Sequence, residues 1–152
     1  MNKLLAVVAC CIFSLGAAAQ SDNPKYDKDL AARLGGDDYG MKSYVFAILK
    51  SGPYKPTEKA VSDSLFRGHI QNIQRLAAEG KLVVAGPLGK NDKEYRGIFI
   101  FNVKTIEEAN ALLVTDPAIK AKVFETEVFQ WYGSAALPEY LKYHEKLEKK
   151  KM

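Results

Sequence analysis

The chain contains few of the side chains that build disulfides and metal sites. It has only two cysteines, Cys10 and Cys11, and only two histidines, His69 and His144. Both cysteines fall within the first nineteen residues, which we predict to be a cleaved leader, so the mature protein would have neither a disulfide nor a thiolate. Structural zinc sites usually need four Cys, His or carboxylate ligands. We therefore expect no metal and no cofactor.

Signals for large charged partners and for membranes are also missing. The net charge is only +4, and five lysines are concentrated in the tail, at Lys142, Lys146, Lys149, Lys150 and Lys151. A nucleic-acid-binding face normally carries a basic stripe on the folded body. After the leader, no stretch approaches the roughly 20 apolar residues of a membrane span. From these absences we expect neither a transmembrane segment nor a nucleic-acid partner, and a small-molecule ligand is favoured.

The amino terminus has the pattern of a secretory signal peptide. Lys3 supplies the positive charge, an apolar run follows, and Ala17 to Ala19 form a small-residue cleavage site. We predict cleavage near Ala19 and export to the periplasm or the exterior. Lipidation at Cys10 is the less favoured alternative, because it would leave an apolar run of only about six residues, shorter than such leaders normally have.

The remaining chain is divided by composition into three parts. Residues 20–42 are polar and contain a proline and three glycines, which is typical of a linker or a loosely docked arm. Residues 43–135 contain the alternating apolar segments expected of one domain. Residues 136–152 form a charged tail that we predict to be helical and to fray or to pack on a neighbour.

The longest periodic segment runs from Thr57, the predicted N-cap, to Glu79, with Gly80 as the predicted left-handed terminator. At about 100° per residue its apolar side chains form one stripe. His69 lies within that stripe and not on the polar face, so we expect it on the inner side of the helix. The stripe consists of Leu65, Phe66, Ile70, Ile73, Leu76 and Ala77.

Four predicted strands precede or follow this helix and a second predicted helix along the chain. Apolar and β-branched runs predict strands at 43–51, 82–86, 96–103 and 123–132. Thr105 followed by Glu108 is the capping-box signature of a second helix, which ends before Asp116-Pro117. The order βαββαβ predicts an α+β, ferredoxin-like fold with two helices on one face of an antiparallel sheet.

Both faces of the first and third strands are apolar, whereas two helices can cover only one face of the sheet. We therefore predict that a second copy of the sheet covers the other face, giving a homodimer. Phe99 and Phe101 are assigned here to the face that the second copy covers.

Several segments in a fixed order resemble the YCII-related (YciI-like) family of small dimeric α+β barrel proteins. They are YVFAILKSGP, AAEGKLVVAGPL, RGIFIFNV, DPAIKAKVF and EVFQWYGSA, with the helical His69 between the first two. The resemblance covers about residues 44–135. It implies a sheet-to-sheet dimer, a cleft between the first helix and the sheet, and a catalytic histidine–aspartate pair, in a family with a few members that act on chlorinated or hydroxylated aromatic rings. Carried over here, the pair is His69 and Asp116, with Asp63 as an alternative partner.

The residues leave two functional classes open. A histidine exchanges protons near neutral pH, and an aspartate on one ring nitrogen would leave the other nitrogen free to move a proton. That arrangement suits an isomerase or lyase acting on a small cyclic or aromatic compound. The alternatives are a core histidine bonded to a backbone carbonyl, an Asp-Pro pair that only ends a helix, and a protein that binds a ligand without catalysis. The predicted substrate-binding residues are Phe46, Gly86, Pro87 and Trp131, and Trp131 is also a candidate dimer contact.

Overall fold

The computed structural model describes residues 23–150, so the predicted signal peptide lies outside the described residues. The helices and strands in chain order are α1 (Lys28–Leu34), β1 (Met41–Ser51), α2 (Lys59–Ala78), β2 (Leu82–Pro87), β3 (Tyr95–Phe101), α3 (Ile106–Leu113), α4 (Pro117–Lys120), β4 (Phe124–Ser134), a 3₁₀ turn (Leu137–Tyr140) and α5 (Leu141–Leu147). None of the helices in this range has the length and hydropathy of a membrane-spanning segment.

The sheet has the order β2-β3-β1-β4, and every neighbouring pair is antiparallel. The central strand β1 pairs with both β3 and β4, so that Ala47 lies opposite Phe99 on one side and Val128 on the other. Helices α2 and α3 form the two crossover connections. The predicted α+β, ferredoxin-like class is therefore confirmed, with a helical extension at the carboxyl end.

The main core lies between the helices and one face of the sheet, which we call the inner face. Alternate residues of β1 point into it because successive side chains of a strand project to opposite sides. Leu76 of α2, Ala109 and Leu113 of α3 and Ile119 of α4 pack against Val45, Ala47, Leu49, Phe99 and Phe101. Phe99 and Phe101 thus belong to the helix-covered core, which corrects their assignment to the dimer face.

The opposite, outer face carries the alternate set of side chains and has a small core of its own. Tyr44, Val83 and Ile100 are buried there, and Leu137 from the 3₁₀ turn packs against them. The Tyr140 hydroxyl donates a hydrogen bond to the Val83 carbonyl oxygen. The chain's own carboxyl-terminal segment therefore covers part of the face for which the sequence suggested only a second copy.

Of the three helix caps that the sequence predicts at named residues, two are confirmed. Gly80 has φ +68° and its amide bonds Ala77 O at 2.9 Å while the next amide bonds Leu76 O at 2.9 Å, which is a Schellman motif. Thr105 and Glu108 form the predicted capping box of α3. The prediction that Thr57 caps α2 is wrong, because the N-cap is Glu58, which makes no side-chain capping bond.

The amino-terminal arm is attached to the domain at its helical segment α1. Lys42 Nζ donates to the Leu34 carbonyl oxygen at 3.2 Å, and Arg33 forms an exposed ion pair with Glu139 at 3.4 Å. The Tyr132 hydroxyl bonds the carboxylate of Asp37 in the turn that follows α1. These contacts bring the arm and the carboxyl-terminal segment to the same end of the sheet.

Candidate active site

His69 lies near the middle of α2 and points toward the inner face of the sheet, as its position in the apolar stripe predicts. Its ring centroid is 5.9 Å from that of Phe99 on β3 and 5.3 Å from that of Phe124 on β4. Phe66, one helical turn earlier, is 6.1 Å away. The histidine side chain is 9% exposed, so aromatic rings surround it while one edge remains open.

Asp116 is completely buried at the start of the short helix α4. Its Oδ1 accepts hydrogen bonds from the amides of Ala118 at 2.9 Å and Ile119 at 3.3 Å, so the carboxylate caps this helix. Its Oδ2 lies 2.6 Å from Nδ1 of His69. Both oxygens of the carboxylate thus have specific partners, and the side chain has a fixed orientation.

The fold brings together two residues that are 47 positions apart in the chain. Because a carboxylate oxygen accepts, Nδ1 of neutral His69 carries the proton, which leaves Nε2 unprotonated. No described residue bonds Nε2. Since every buried side-chain nitrogen or oxygen atom among the described residues has a hydrogen-bond partner, Nε2 is not buried and faces accessible space. The alternative partner, Asp63, is instead at the helix surface, 2.5 Å from Lys59 Nζ.

The structure separates Phe46 and Trp131 from His69. Both project from the outer face, where Phe46 lies 6.5 Å from Phe129 and Trp131 lies 5.5 Å from Tyr44 between ring centroids. This corrects the prediction that they bind the same ligand as His69 within one subunit. The physical reason is the alternation of strand side chains, which places these residues and the inner-face residues on opposite sides of the sheet.

Gly86 and Pro87 end strand β2, opposite Ile98 and Gly97 of β3. A Cβ on Gly97 would lie 2.9 Å from the Gly86 carbonyl oxygen, so the absence of a side chain permits this close approach of the strands. No ring contact or hydrogen bond found among residues 23–150 joins either residue to His69. Their predicted contact with substrate therefore stays a prediction.

Three aromatic residues beside His69 were not singled out as site residues by the sequence. Phe66 had a signal, because it lies three positions before His69 and residues at this spacing share a helix face. Phe99 had only an ambiguous one, since both faces of β3 are apolar. Phe124 had none, because its approach to His69 depends on how β4 pairs with β1.

One cavity lies along the edge strand β4, and another lies at the end of the sheet where β1 begins and β3 ends. The smaller cavity, of about 230 Å³, lies beside the aromatic rings around His69, because Phe124 lines it. Ile119 of α4 also lines it. The other lining residues are Lys50, Lys122, Glu125, Thr126 and Glu127. The larger, of about 490 Å³, lies near Lys42 and Lys104 and includes no predicted site residue. Within the described range, no three His, Cys, Asp or Glu side chains converge as metal ligands would.

The chain matches a protein-family model and is similar to solved structures. The YCII-related domain family matches residues 46–132, a range that includes both His69 and Asp116. The 5-chloro-2-hydroxyhydroquinone dehydrochlorinase of Burkholderia phenoliruptrix AC1100, solved in complex with 2,5-dihydroxybenzoquinone, is 26% identical in sequence, with a TM-score of 0.41 over 57% of this chain and 92% of that chain. No curated protein matches.

Proposed function

The chain belongs to the YCII-related domain family, and from this premise we propose that it is an enzyme that transfers a proton on a small cyclic or aromatic compound, with isomerisation or elimination as the outcome. The observation that carries the proposal is the buried His69–Asp116 contact of 2.6 Å, together with an Nε2 atom that no residue of the described range bonds. A histidine that only fills a core would need no buried carboxylate, since a backbone carbonyl satisfies one ring nitrogen.

His69 is the proposed catalytic base and acid. Nε2 removes a proton from the substrate, and the positive charge that develops on the ring is stabilised by the Asp116 carboxylate on the opposite nitrogen. The same Nε2 then returns the proton to another atom of the substrate in an isomerisation, or to a departing group in an elimination. Asp116 does not touch the substrate in this scheme; it holds the ring in one tautomer and one orientation.

The surroundings of His69 favour a flat, apolar substrate. The ring centroids of Phe66, Phe99 and Phe124 lie 6.1, 5.9 and 5.3 Å from that of the imidazole. Phe66 is 59% exposed, which makes its ring available to a ligand that approaches Nε2. Offset stacking against such rings stabilises aromatic and conjugated cyclic compounds. We therefore propose Phe66 as a substrate contact.

Deuterium incorporation from D₂O tests proton transfer without knowledge of the product. The probe is a panel of cyclic diketones, cyclic enones and dihydroxybenzenes, with incorporation at carbon followed by proton NMR. We expect His69→Gln to slow the incorporation by about 10²-fold or more, the usual contribution of a general base. The control is His144→Gln, which changes the exposed histidine of the tail and should leave the rate unchanged. Equal rates in the two variants would show that His69 is not the base, and ligands that bind without exchange would instead identify a binding protein.

We also propose a homodimer through the uncovered part of the outer face. Phe129 and Trp131 are 48% and 38% exposed there, and Phe46 lies beside Phe129. Large exposed aromatic side chains in one patch are typical of interfaces. Phe129→Asp should convert a dimer into a monomer in analytical ultracentrifugation, whereas Phe66→Asp, on the other side of the sheet, should not. A wild-type monomer at micromolar concentration would contradict the proposal.

Export of the mature protein is the remaining proposal. It rests on the charged, apolar and small-residue pattern of residues 1–19. Mass spectrometry of the protein recovered from the periplasm or the medium should find an amino terminus at Gln20. Recovery of the uncleaved chain from the cytoplasm would contradict it.

A further inference from the structure

Helix α2 and the loop that carries Asp116 meet at three adjacent points. Gly68 faces Pro117, His69 faces Asp116, and Arg75 faces Thr115. The contacts to Pro117 and Thr115 thus lie on either side of the catalytic contact along the loop. We propose that Thr115 and Arg75 on one side, and the missing side chain of Gly68 on the other, position Asp116 against His69. This inference rests on the proposed function.

The polar contact is built around one nitrogen of Arg75. Nη2 donates to Asn72 Oδ1 at 2.8 Å and to Thr115 Oγ1 at 3.0 Å. The Thr115 hydroxyl lies 2.6 Å from the Leu112 carbonyl oxygen and 3.0 Å from Asn72 Oδ1. A hydroxyl has one proton, so it donates to one of these acceptors at a time while its lone pair accepts from Arg75. The loop residue before Asp116 is thereby tied both to α3 and to α2.

The apolar contact depends on glycine in a helix. A Cβ on Gly68 would lie 2.6 Å from Cγ of Pro117, well inside the ordinary contact distance between carbon atoms. Glycine is unfavourable in the middle of a helix by about 1 kcal/mol relative to alanine. Its presence directly before His69 therefore has a packing reason, which is the close approach of Pro117 and, with it, Asp116.

The Thr115–Arg75 and Gly68–Pro117 contacts matter because His69 and Asp116 lie a short distance apart but belong to separate segments of the chain. A displacement of about 1 Å at an active site can reduce a rate by roughly 10²-fold. The carboxylate is fixed to α4 by its capping bonds, but those bonds do not fix α4 relative to α2. The Pro117 and Thr115 contacts do so, which gives these residues a positioning role.

The test compares Thr115→Val, which removes the hydroxyl, with Thr115→Ser, which keeps it. The observable is the ¹⁵N and ¹H spectrum of His69 in the whole protein labelled at histidine, with His144→Gln used for assignment. In Thr115→Val we expect the Nδ1 proton to exchange with water about fivefold to tenfold faster, the size expected from one lost hydrogen bond. Thr115→Ser should match the wild type. A merely structural Thr115 would lower the melting temperature and leave the Nδ1 proton unchanged.

Gly68→Ala tests the apolar contact independently, with Ser64→Ala on the exposed face of α2 as the control for helix propensity. Gly68→Ala adds a methyl group and Ser64→Ala removes a hydroxyl group, so both changes place an alanine in α2. Only Gly68→Ala should alter the signal of the His69 Nδ1 proton. Unaltered signals in both Thr115→Val and Gly68→Ala would overturn the inference. These readouts use no substrate, so altered signals with no proton-transfer activity would refute the proposed function alone.

Discussion

The Asp116 side chain makes two kinds of contact that a pair of substitutions can separate. Oδ1 caps α4 and Oδ2 binds Nδ1 of His69. Asparagine caps helices about as well as aspartate, so Asp116→Asn keeps the first contact when its carbonyl oxygen occupies the Oδ1 position. Its amide group then faces Nδ1 of His69. Because two donors cannot bond each other, we expect His69 to change to the tautomer with the proton on Nε2.

The free energies follow from the loss of each contact. A hydrogen bond to a charged group stabilises a fold by about 1.5–3 kcal/mol and a neutral one by about 1 kcal/mol, so Asp116→Asn should cost about 0.5–2 kcal/mol. Asp116→Ala also loses the cap, about 1 kcal/mol, and leaves the Nδ1 proton of His69 without a partner at about 1–3 kcal/mol. It should therefore cost about 2–4 kcal/mol. For a domain of this size, each kcal/mol lowers the melting temperature by about 3–5 °C.

Urea unfolding of the wild type and both variants measures these differences, and ¹⁵N spectra of labelled histidine report the tautomer. The m-values should agree among the three proteins, since the surface exposed on unfolding is the same. No destabilisation by Asp116→Asn, with the whole loss appearing in Asp116→Ala, would show that the cap, and not the His69 contact, is what the carboxylate contributes. An unchanged tautomer in Asp116→Asn would refute the proton assignment on which the mechanism depends.

Three further predictions concern the scaffold. Gly80→Ala should destabilise the protein by about 1–2 kcal/mol in urea, because alanine is strained at the left-handed φ of +68°. Thr105→Ala should cost about 1 kcal/mol through loss of the α3 cap, whereas Thr105→Ser should cost less. The hydrogen bond from Tyr132 lowers the pKa of Asp37, and the same bond raises the pKa of Tyr132 to about 12. The stability from this bond should be present between the ordinary acidic pKa of aspartate and the ordinary pKa of tyrosine. It is lost as pH falls through the lowered Asp37 pKa or rises through the raised Tyr132 pKa. In Asp37→Asn the tyrosine titration, followed by NMR of labelled tyrosine, should return toward 10; a midpoint that stays near 12 would contradict this cause.

The candidate site was predictable in part, and there is a physical reason why some of its residues could be predicted and others could not. The inner position of His69 follows from helix periodicity, because a helix repeats with a fixed angle per residue. Asp116 was reached only through family resemblance, since nothing local to an Asp-Pro turn indicates which helix it will contact. The separation of Phe46 and Trp131 from His69 within one subunit was not predictable, because an apolar strand does not reveal which face the helices cover.

The sequence by itself determined the βαββαβ order of the main helices and strands, the capping box at Thr105, the turn at Gly80 and the inward direction of His69. Each of these depends on residues within one or two helical turns, where backbone preferences and side-chain spacing act directly. Only the tertiary structure decided that Asp116 lies against His69, that Phe99 faces the helices, and that Leu137 covers part of the outer face. These contacts join segments far apart in the chain, so they follow from the packing of whole elements and not from any local pattern.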